Sequence, residues 1–186
     1  MSLPLCVVVD PEGQLRPDGS KRYAGFYIRE ILAHAGIPFD EVERPITAPD
    51  VAGRRILLLP WHMPMSEEER ALLDRFVREG GALVGLGGAS GLDELFGVVD
   101  RGDMVDGYLQ IVEYDHPVTG DLKSSLHCFG GRRVKATEGK ALARVIGASD
   151  GVVEHRVETG LAFVVGPDLV STVVQIQQGH PIPPAA

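Results

Sequence analysis

A chain of 186 residues with 44% hydrophobic and 24% charged residues has the composition of one globular domain and is too short for two full-sized ones. Its net charge of −8 argues against nucleic-acid binding, which needs a concentrated cationic face. Because no apolar run approaches the roughly 18 residues of a membrane span and no secretion signal is visible, we expect a cytoplasmic protein that binds no membrane.

The first half of the chain predicts strands that alternate with helices. Apolar runs at residues 5–9, 39–42, 56–59 and 82–86 predict four strands. Residues 56–59 are apolar throughout, as expected of a strand covered on both faces. Between the first two strands, the apolar spacing of residues 22–35 predicts a helix that ends at Gly36.

A second helix lies between the third and fourth strands. Ser66 is a good N-cap, and Glu69 three residues later completes a capping box. Apolar side chains then recur at the spacing of one buried stripe until Gly80 ends the helix. Such a strand–helix–strand unit is right-handed and builds a parallel sheet.

After residue 100 the pattern changes to short β-like runs separated by turns. The runs cover residues 108–112, 126–129, 133–136, 141–145, 152–157 and 161–165, and the last three predict a meander of hairpins. Arg132, Arg133 and Lys135 are interpreted as the solvated edge of a strand. A final helix is predicted over 169–178. The proline-rich tail, residues 180–186, predicts a linker to a possible further domain, so the domain itself is expected to span 1–179.

Four stretches of the chain resemble the class I glutamine amidotransferase-like superfamily. They are ILLLP–SEEE–ALLDRFVREGGALVGLGG within residues 56–88, the segment 23–42, Asp-His-Pro-Val-Thr at 115–119, and the closing strand and helix at 160–179. The chain is most similar to the branch found as the middle domain of some β-galactosidases and in trehalose-utilisation proteins. The resemblance implies a three-layer, flavodoxin-like α/β fold, with a mostly parallel core sheet extended by antiparallel strands of the C-terminal half.

The resemblance also indicates that the nucleophile of the superfamily's enzymes is missing from this sequence. Enzymes of the superfamily place a nucleophilic cysteine in the sharp turn after the strand that corresponds to residues 82–86. Here that turn carries Gly87, Gly88 and Ala89. We therefore expect a non-catalytic domain that serves assembly, as a homo-oligomer, or binds a small ligand such as a carbohydrate within a larger bacterial protein.

Ligands of an open parallel sheet bind beyond the carboxyl ends of its strands, so the residues there are the candidate site. Gly87 and Gly88 would allow a ligand close to the backbone, and Trp61, His62 and Ser90 lie on the same edge. Ser90 is also interpreted as the N-cap of a short helix through Leu95. As an alternative function, Asp10, His62, Ser90 and His116 would converge as a hydrolytic site for small molecules.

Cysteine chemistry has little support. Cys6 lies in a predicted buried strand, and neither it nor Cys128 shows metal or disulfide spacing, so no metal or cofactor is expected. His127 and Cys128 are adjacent in a predicted strand and point to opposite faces. A catalytic Cys128 would therefore need a distant partner such as His116.

Overall fold

The computed structural model describes residues 3–10 and 24–178, and these form eleven strands and four helices. The strands are β1 (Leu5–Val9), β2 (Asp40–Glu43), β3 (Ile56–Leu59), β4 (Ala82–Leu86), β5 (Val98–Asp103), β6 (Asp106–Ile111), β7 (Leu126–Phe129), β8 (Arg132–Ala136), β9 (Lys140–Val145), β10 (Ser149–Val157) and β11 (Gly160–Val165). The helices are α1 (Ala24–His34), α2 (Ala48–Val51), α3 (Glu67–Arg78) and α4 (Leu169–Gln178). The predicted tail, residues 180–186, lies outside the described residues.

All eleven strands belong to one sheet, in the order β2-β1-β3-β4-β11-β10-β9-β6-β7, with β5 paired to β8 and β8 to β10. The five strands from β2 to β11 run parallel. From β10 onward the neighbours are antiparallel, and β9, β10 and β11 form the predicted meander. The structure thus confirms a flavodoxin-like α/β fold with an antiparallel extension.

Two apolar clusters hold this sheet together. The larger one joins β1, β3 and β4 to helices α1 and α3, and it reaches Val170 at the start of α4. The smaller one lies against β6, β9 and β10. Cys6 is fully buried in the larger cluster, as predicted. No helix among the described residues is long and apolar enough to cross a membrane.

The capping box predicted for α3 is confirmed. Ser66 Oγ accepts a hydrogen bond from the Glu69 backbone N–H at 3.2 Å, and Glu69 Oε2 accepts one from the Ser66 N–H at 3.0 Å. These bonds satisfy two backbone donors that a helix start leaves open. They fix where α3 begins, directly after the loop that leaves β3.

The short helix predicted from Ser90 to Leu95 is wrong. Residues 90–97 form a series of turns instead. Ser90 has a φ of 57°, the left-handed conformation, whereas an N-cap residue takes an extended one. The sequence also gave no prediction of β5 or α2. Both are short, and β5 contains three charged residues, so neither shows a clear apolar pattern.

Candidate functional site

A pocket of about 690 Å³ opens beyond the carboxyl ends of β3, β4 and β11. Trp61, His62 and Gly87 line it from the first two of these strands, and Asp168 follows the third. The opposite wall comes from the turn between β5 and β6 and from the turn between β7 and β8, residues 103–106 and 129–132. We call this cavity the edge pocket.

The sharp turn after β4 has no room for a side chain at Gly88. A Cβ atom added there would meet Arg132 Cγ and, at 2.8 Å, His62 Nδ1. The φ of Gly88 is also 135°, a conformation that L-residues rarely adopt. The space beside Gly88 is therefore occupied by the arginine stem and the imidazole.

His62 and Ser90, two of the predicted site residues, are in direct contact. The Ser90 N–H donates to His62 Nδ1 at 3.2 Å, so the neutral ring carries its proton on Nε2. Ser90 is fully buried, and its Oγ accepts from the Met63 N–H at 3.1 Å. Its carbonyl oxygen accepts from the Met65 N–H. These contacts hold the loop after β3 against the turn after β4.

Arg132 is the main cation of the edge pocket rather than a residue of a solvated strand edge. Its guanidinium donates to both carboxylate oxygens of Asp100, at 2.8 and 3.0 Å, and to Asp103 at 2.6 Å. These contacts, chiefly the hydrogen bond to Asp100, raise the pKa of Arg132. Burial acts to raise the pKa of Asp100, but Arg132 and the Gly102 N–H outweigh it, so this pKa is lowered. Both groups stay charged at neutral pH.

Asp168 begins α4 at the floor of the edge pocket. Its carboxylate accepts from the Ser171 N–H at 2.9 Å and from the Ser171 hydroxyl at 2.7 Å, which is N-cap geometry. Thr172 Oγ1 donates to the Asp168 carbonyl and accepts from the Phe129 N–H. The end of β7 is thereby tied to the first turn of α4.

Asp10 lies at the end of β1, where Arg44 binds it at 3.0 Å. The same guanidinium donates to the buried carboxylate of Glu69. The hydrogen bond from Arg44, with the capping contact of Ser66, lowers the pKa of Glu69 to about 2 despite its burial. The cluster joins the end of β2 to the start of α3.

His116 lies over the middle of the sheet. Its Nε2 is 2.8 Å from a carboxylate oxygen of Glu154, and its ring meets Phe163 edge-on with the centroids 6.3 Å apart. Glu154 pairs with Phe163, two residues before the end of β11. The contacts thus join His62 to Ser90, Asp10 to Arg44 and His116 to Glu154. Convergence of the four predicted residues on one substrate stays a prediction.

Cys128 is fully buried on the inner face of β7, and burial raises the pKa of its thiol. His127 points to the other face, where its ring stacks on Tyr108 with 4.6 Å between centroids. The predicted opposite orientation of the two residues is therefore confirmed. Within residues 3–10 and 24–178, no group of three or more His, Cys, Asp or Glu side chains is placed to hold a metal ion.

Sequence reasoning named Trp61, His62 and Gly87 and missed the rest of the edge-pocket lining, which includes Phe129, Arg132, Asp103 and Asp168. The available signals were the Gly130–Gly131 pair and the Gly-Pro-Asp sequence after the last strand. A Cβ on Gly131 would meet the Gly166 carbonyl oxygen and, at 2.5 Å, the Asp168 nitrogen. This glycine allows the turn between β7 and β8 to lie directly against the end of β11.

No protein-family model matches the chain, and no curated protein matches its sequence. Its fold is similar to that of several solved structures. A cytoplasmic protein from Salmonella typhimurium LT2 superposes with a TM-score of 0.74 at 14% identity, over 95% of this chain and 94% of that one. A putative ThuA-like protein from Bacteroides uniformis superposes with a TM-score of 0.63 at 10% identity, over 91% of this chain and 88% of that one.

The fold also occurs as part of longer chains. A β-galactosidase from Rahnella sp. R3 superposes with a TM-score of 0.72 at 15% identity, over 97% of this chain but 33% of that one. An exo-β-1,4-mannosidase from Opitutaceae bacterium strain TAV5 superposes with a TM-score of 0.69 at 14% identity, over 95% of this chain and 33% of that one. The chain thus spans about a third of these glycosidases. At such low identity the likeness shows the fold alone, and it agrees with the resemblance at that level.

Proposed function

We propose that this chain is a non-catalytic amidotransferase-like domain that binds a small ligand of the carbohydrate class in the edge pocket, as part of a larger bacterial protein. The observation that carries the proposal is the filled corner at Gly88. Arg132 and His62 take the space in which a nucleophile would stand, while an open pocket remains beside them.

The size and lining of the edge pocket suit a small polar ligand. Its volume of about 690 Å³ falls within the usual range for ligand pockets. Phe129 and Met104 supply apolar surface, whereas Asp103, Gln175 and Ser171 supply polar atoms that orient hydroxyl groups. A β-galactosidase and an exo-β-1,4-mannosidase among the similar structures favour a carbohydrate-related role.

A place within a larger protein is supported by the share of these glycosidase chains that the domain matches, 33% in each. The similar Salmonella protein, by contrast, is covered over 94% of its length. The same fold thus occurs in both settings. The reading frame around residues 1–186 decides between them, and we expect it to continue past Ala186.

The only tryptophan, Trp61, lines the edge pocket and reports binding directly. We expect neutral monosaccharides and their amino derivatives to change its fluorescence saturably. Val105→Arg, at a pocket-lining residue that is 86% exposed, should abolish the change by filling the mouth. Val118→Arg, at a valine 55% exposed outside that lining, is the matched control and should leave binding intact. Equal effects of both variants, or no saturable change, would reject the proposal.

The non-catalytic assignment is tested with glutamine and simple esters as substrates. We expect no turnover, because the Ser90 hydroxyl is buried and already accepts a hydrogen bond from Met63. Turnover that Ser90→Ala or Cys128→Ala abolishes would show an enzyme instead. A hydrolase that uses Asp10, His62, Ser90 and His116 would then be the better account.

A further inference from the structure

We propose that the edge pocket selects for positive charge, so that its preferred ligand is a hydroxylated ring that carries a protonated amine. The inference rests on the proposed function and adds to it the charge of the ligand. It follows from the balance of charges and the balance of hydrogen-bond donors and acceptors.

Carboxylates dominate the charges of the pocket lining. Asp103, Asp106 and Asp168 line it, against the single cation Arg132. Arg132 forms ion pairs with Asp103 and with Asp100, which does not itself line the pocket, so its positive charge is locally compensated. His62 also lines the pocket, and a protonated His62 would still leave the three lining carboxylates and Asp100 in excess over two cations. A concave site with one dominant sign of charge concentrates ligands of the opposite sign.

The hydrogen-bonding groups of the pocket that remain available to a ligand are mostly acceptors. The Ser171 hydroxyl donates to Asp168, and the Arg132 donors are directed at carboxylates. Asp103 accepts from Arg132 through one oxygen, and Asp106 has one oxygen 3.3 Å from His127 Nε2. Their side chains are 86% and 60% exposed, which leaves the other carboxylate oxygens open to a ligand. An ammonium group, with three donors and no acceptor, matches this set better than a carboxylate or phosphate does.

Gln175 adds a further acceptor for a hydrogen-bond donor of the ligand. It lines the pocket from α4, and its Oε1 is buried with no hydrogen-bond partner among the described residues. A buried acceptor without a donor destabilises the folded protein. A ligand hydroxyl or amine that reaches this atom after a small side-chain shift would remove this destabilisation.

Phe129 forms an aromatic wall of the pocket. Its ring lies 4.3 Å from that of His127, centroid to centroid, and His127 in turn stacks on Tyr108. Phe129 therefore gives the pocket an apolar surface on which a sugar ring can pack beside the carboxylates.

The test compares glucosamine, glucose and glucose 6-phosphate by calorimetric titration at pH 6.5. We expect glucosamine to bind about tenfold more tightly than glucose, and glucose 6-phosphate to bind most weakly, because one charge a few ångströms from exposed carboxylates gives an effect of this order. Raising the pH to about 9, above the pKa near 8 of such an amine, should remove the advantage of glucosamine.

Variants then locate the selectivity. The double variant Asp103→Asn, Asp106→Asn should bring glucosamine within about threefold of glucose, since both carboxylate charges are gone. Glu138→Gln removes an equally exposed charge in a different pocket, beside His155, and should change neither affinity. A thermal unfolding midpoint within about 2 °C of wild type shows that the double variant still folds.

The outcomes separate the two proposals. Binding in which glucose or glucose 6-phosphate equals or exceeds glucosamine would overturn the charge selectivity and leave the proposed function standing. A preference that survives the double variant would also overturn it. Failure of all three probes to bind would count against the proposed function itself.

Discussion

Gly88 lies where both the backbone and the neighbouring side chains exclude a Cβ atom. Its φ of 135° is unfavourable for L-residues, and Arg132 and His62 occupy the adjacent space. Gly91 offers the matched comparison, because its φ is 78° but nothing lies within 4 Å of an added Cβ. Gly91→Ala therefore measures the cost of a left-handed backbone alone, whereas Gly88→Ala adds a less accessible φ and the contact.

We expect Gly91→Ala to lower the free energy of unfolding by about 1 kcal/mol, from the left-handed backbone alone. Gly88→Ala should lower it by about 3 kcal/mol, since the clash with Arg132 and His62 adds to that strain. Urea denaturation of both variants measures the difference. Equal losses would mean that the corner has room for a side chain.

Ser90 is a candidate nucleophile by sequence, and its contacts are structural. Its Oγ accepts from the Met63 N–H and its carbonyl from the Met65 N–H. Ser90→Ala leaves the buried Met63 N–H without an acceptor, which should cost about 1–3 kcal/mol. We also expect the emission of Trp61 to shift to longer wavelength as the loop loosens. An unchanged stability and emission spectrum would contradict a structural role for the Ser90 hydroxyl.

At the scale of elements, the cluster of Arg44 and Glu69 joins the end of β2 to the first turn of α3. The folded-state pKa of Glu69 is about 2, below its ordinary value of 4.5. A lowered pKa stabilises the fold above the ordinary pKa, and this contribution is lost as the pH falls from about 4.5 to 2. For this buried carboxylate the shift corresponds to roughly 3 kcal/mol.

Glu69→Gln should therefore destabilise the protein by about 3 kcal/mol at pH 7 and by much less near pH 2. Glu67→Gln, in the same helical turn but exposed, removes the same charge near the helix start and is the control. Unfolding curves at pH 7, 4 and 2.5 test whether the free energies of unfolding of Glu69→Gln and wild type converge as the pH falls. A gap between Glu69→Gln and wild type that is constant with pH would contradict it.

Elements were predictable where a repeating pattern marked them. The apolar run of β3 and the capping box of α3 needed only neighbouring residues, so both were found. Arg132 was misinterpreted because its partners, Asp100 and Asp103, come from β5, about thirty residues earlier. Strand ends alone also failed to fix partners, since Asp10 binds Arg44 and His116 binds Glu154.

At the scale of the whole molecule, one apolar core links the two ends of the described chain. It contains Cys6 of β1 and Val170 of α4, which are about 160 residues apart in the sequence. We therefore propose that residues 1–179 fold as a single domain. Homo-oligomerisation stays a prediction, which light scattering would test.

Truncation after Gly179 removes only the proline-rich tail. We expect the shortened protein to unfold in one cooperative thermal transition, with a midpoint within about 2 °C of the full chain. Calorimetry gives both quantities. Two transitions, or a drop of about 5 °C or more, would show that the domain boundary lies elsewhere.

The central claim is that the edge pocket binds a ligand and leaves it chemically unchanged. Backbone amide chemical shifts on titration with glucosamine, recorded with the proton spectrum of the sugar itself, test both halves together. We predict shifts concentrated at Gly87, Gly130, Gly131 and Ser171, with the sugar intact after a day. Shifts confined to the other pockets, around Gly53 and Gly80 or around His155, or the appearance of product signals, would contradict the account.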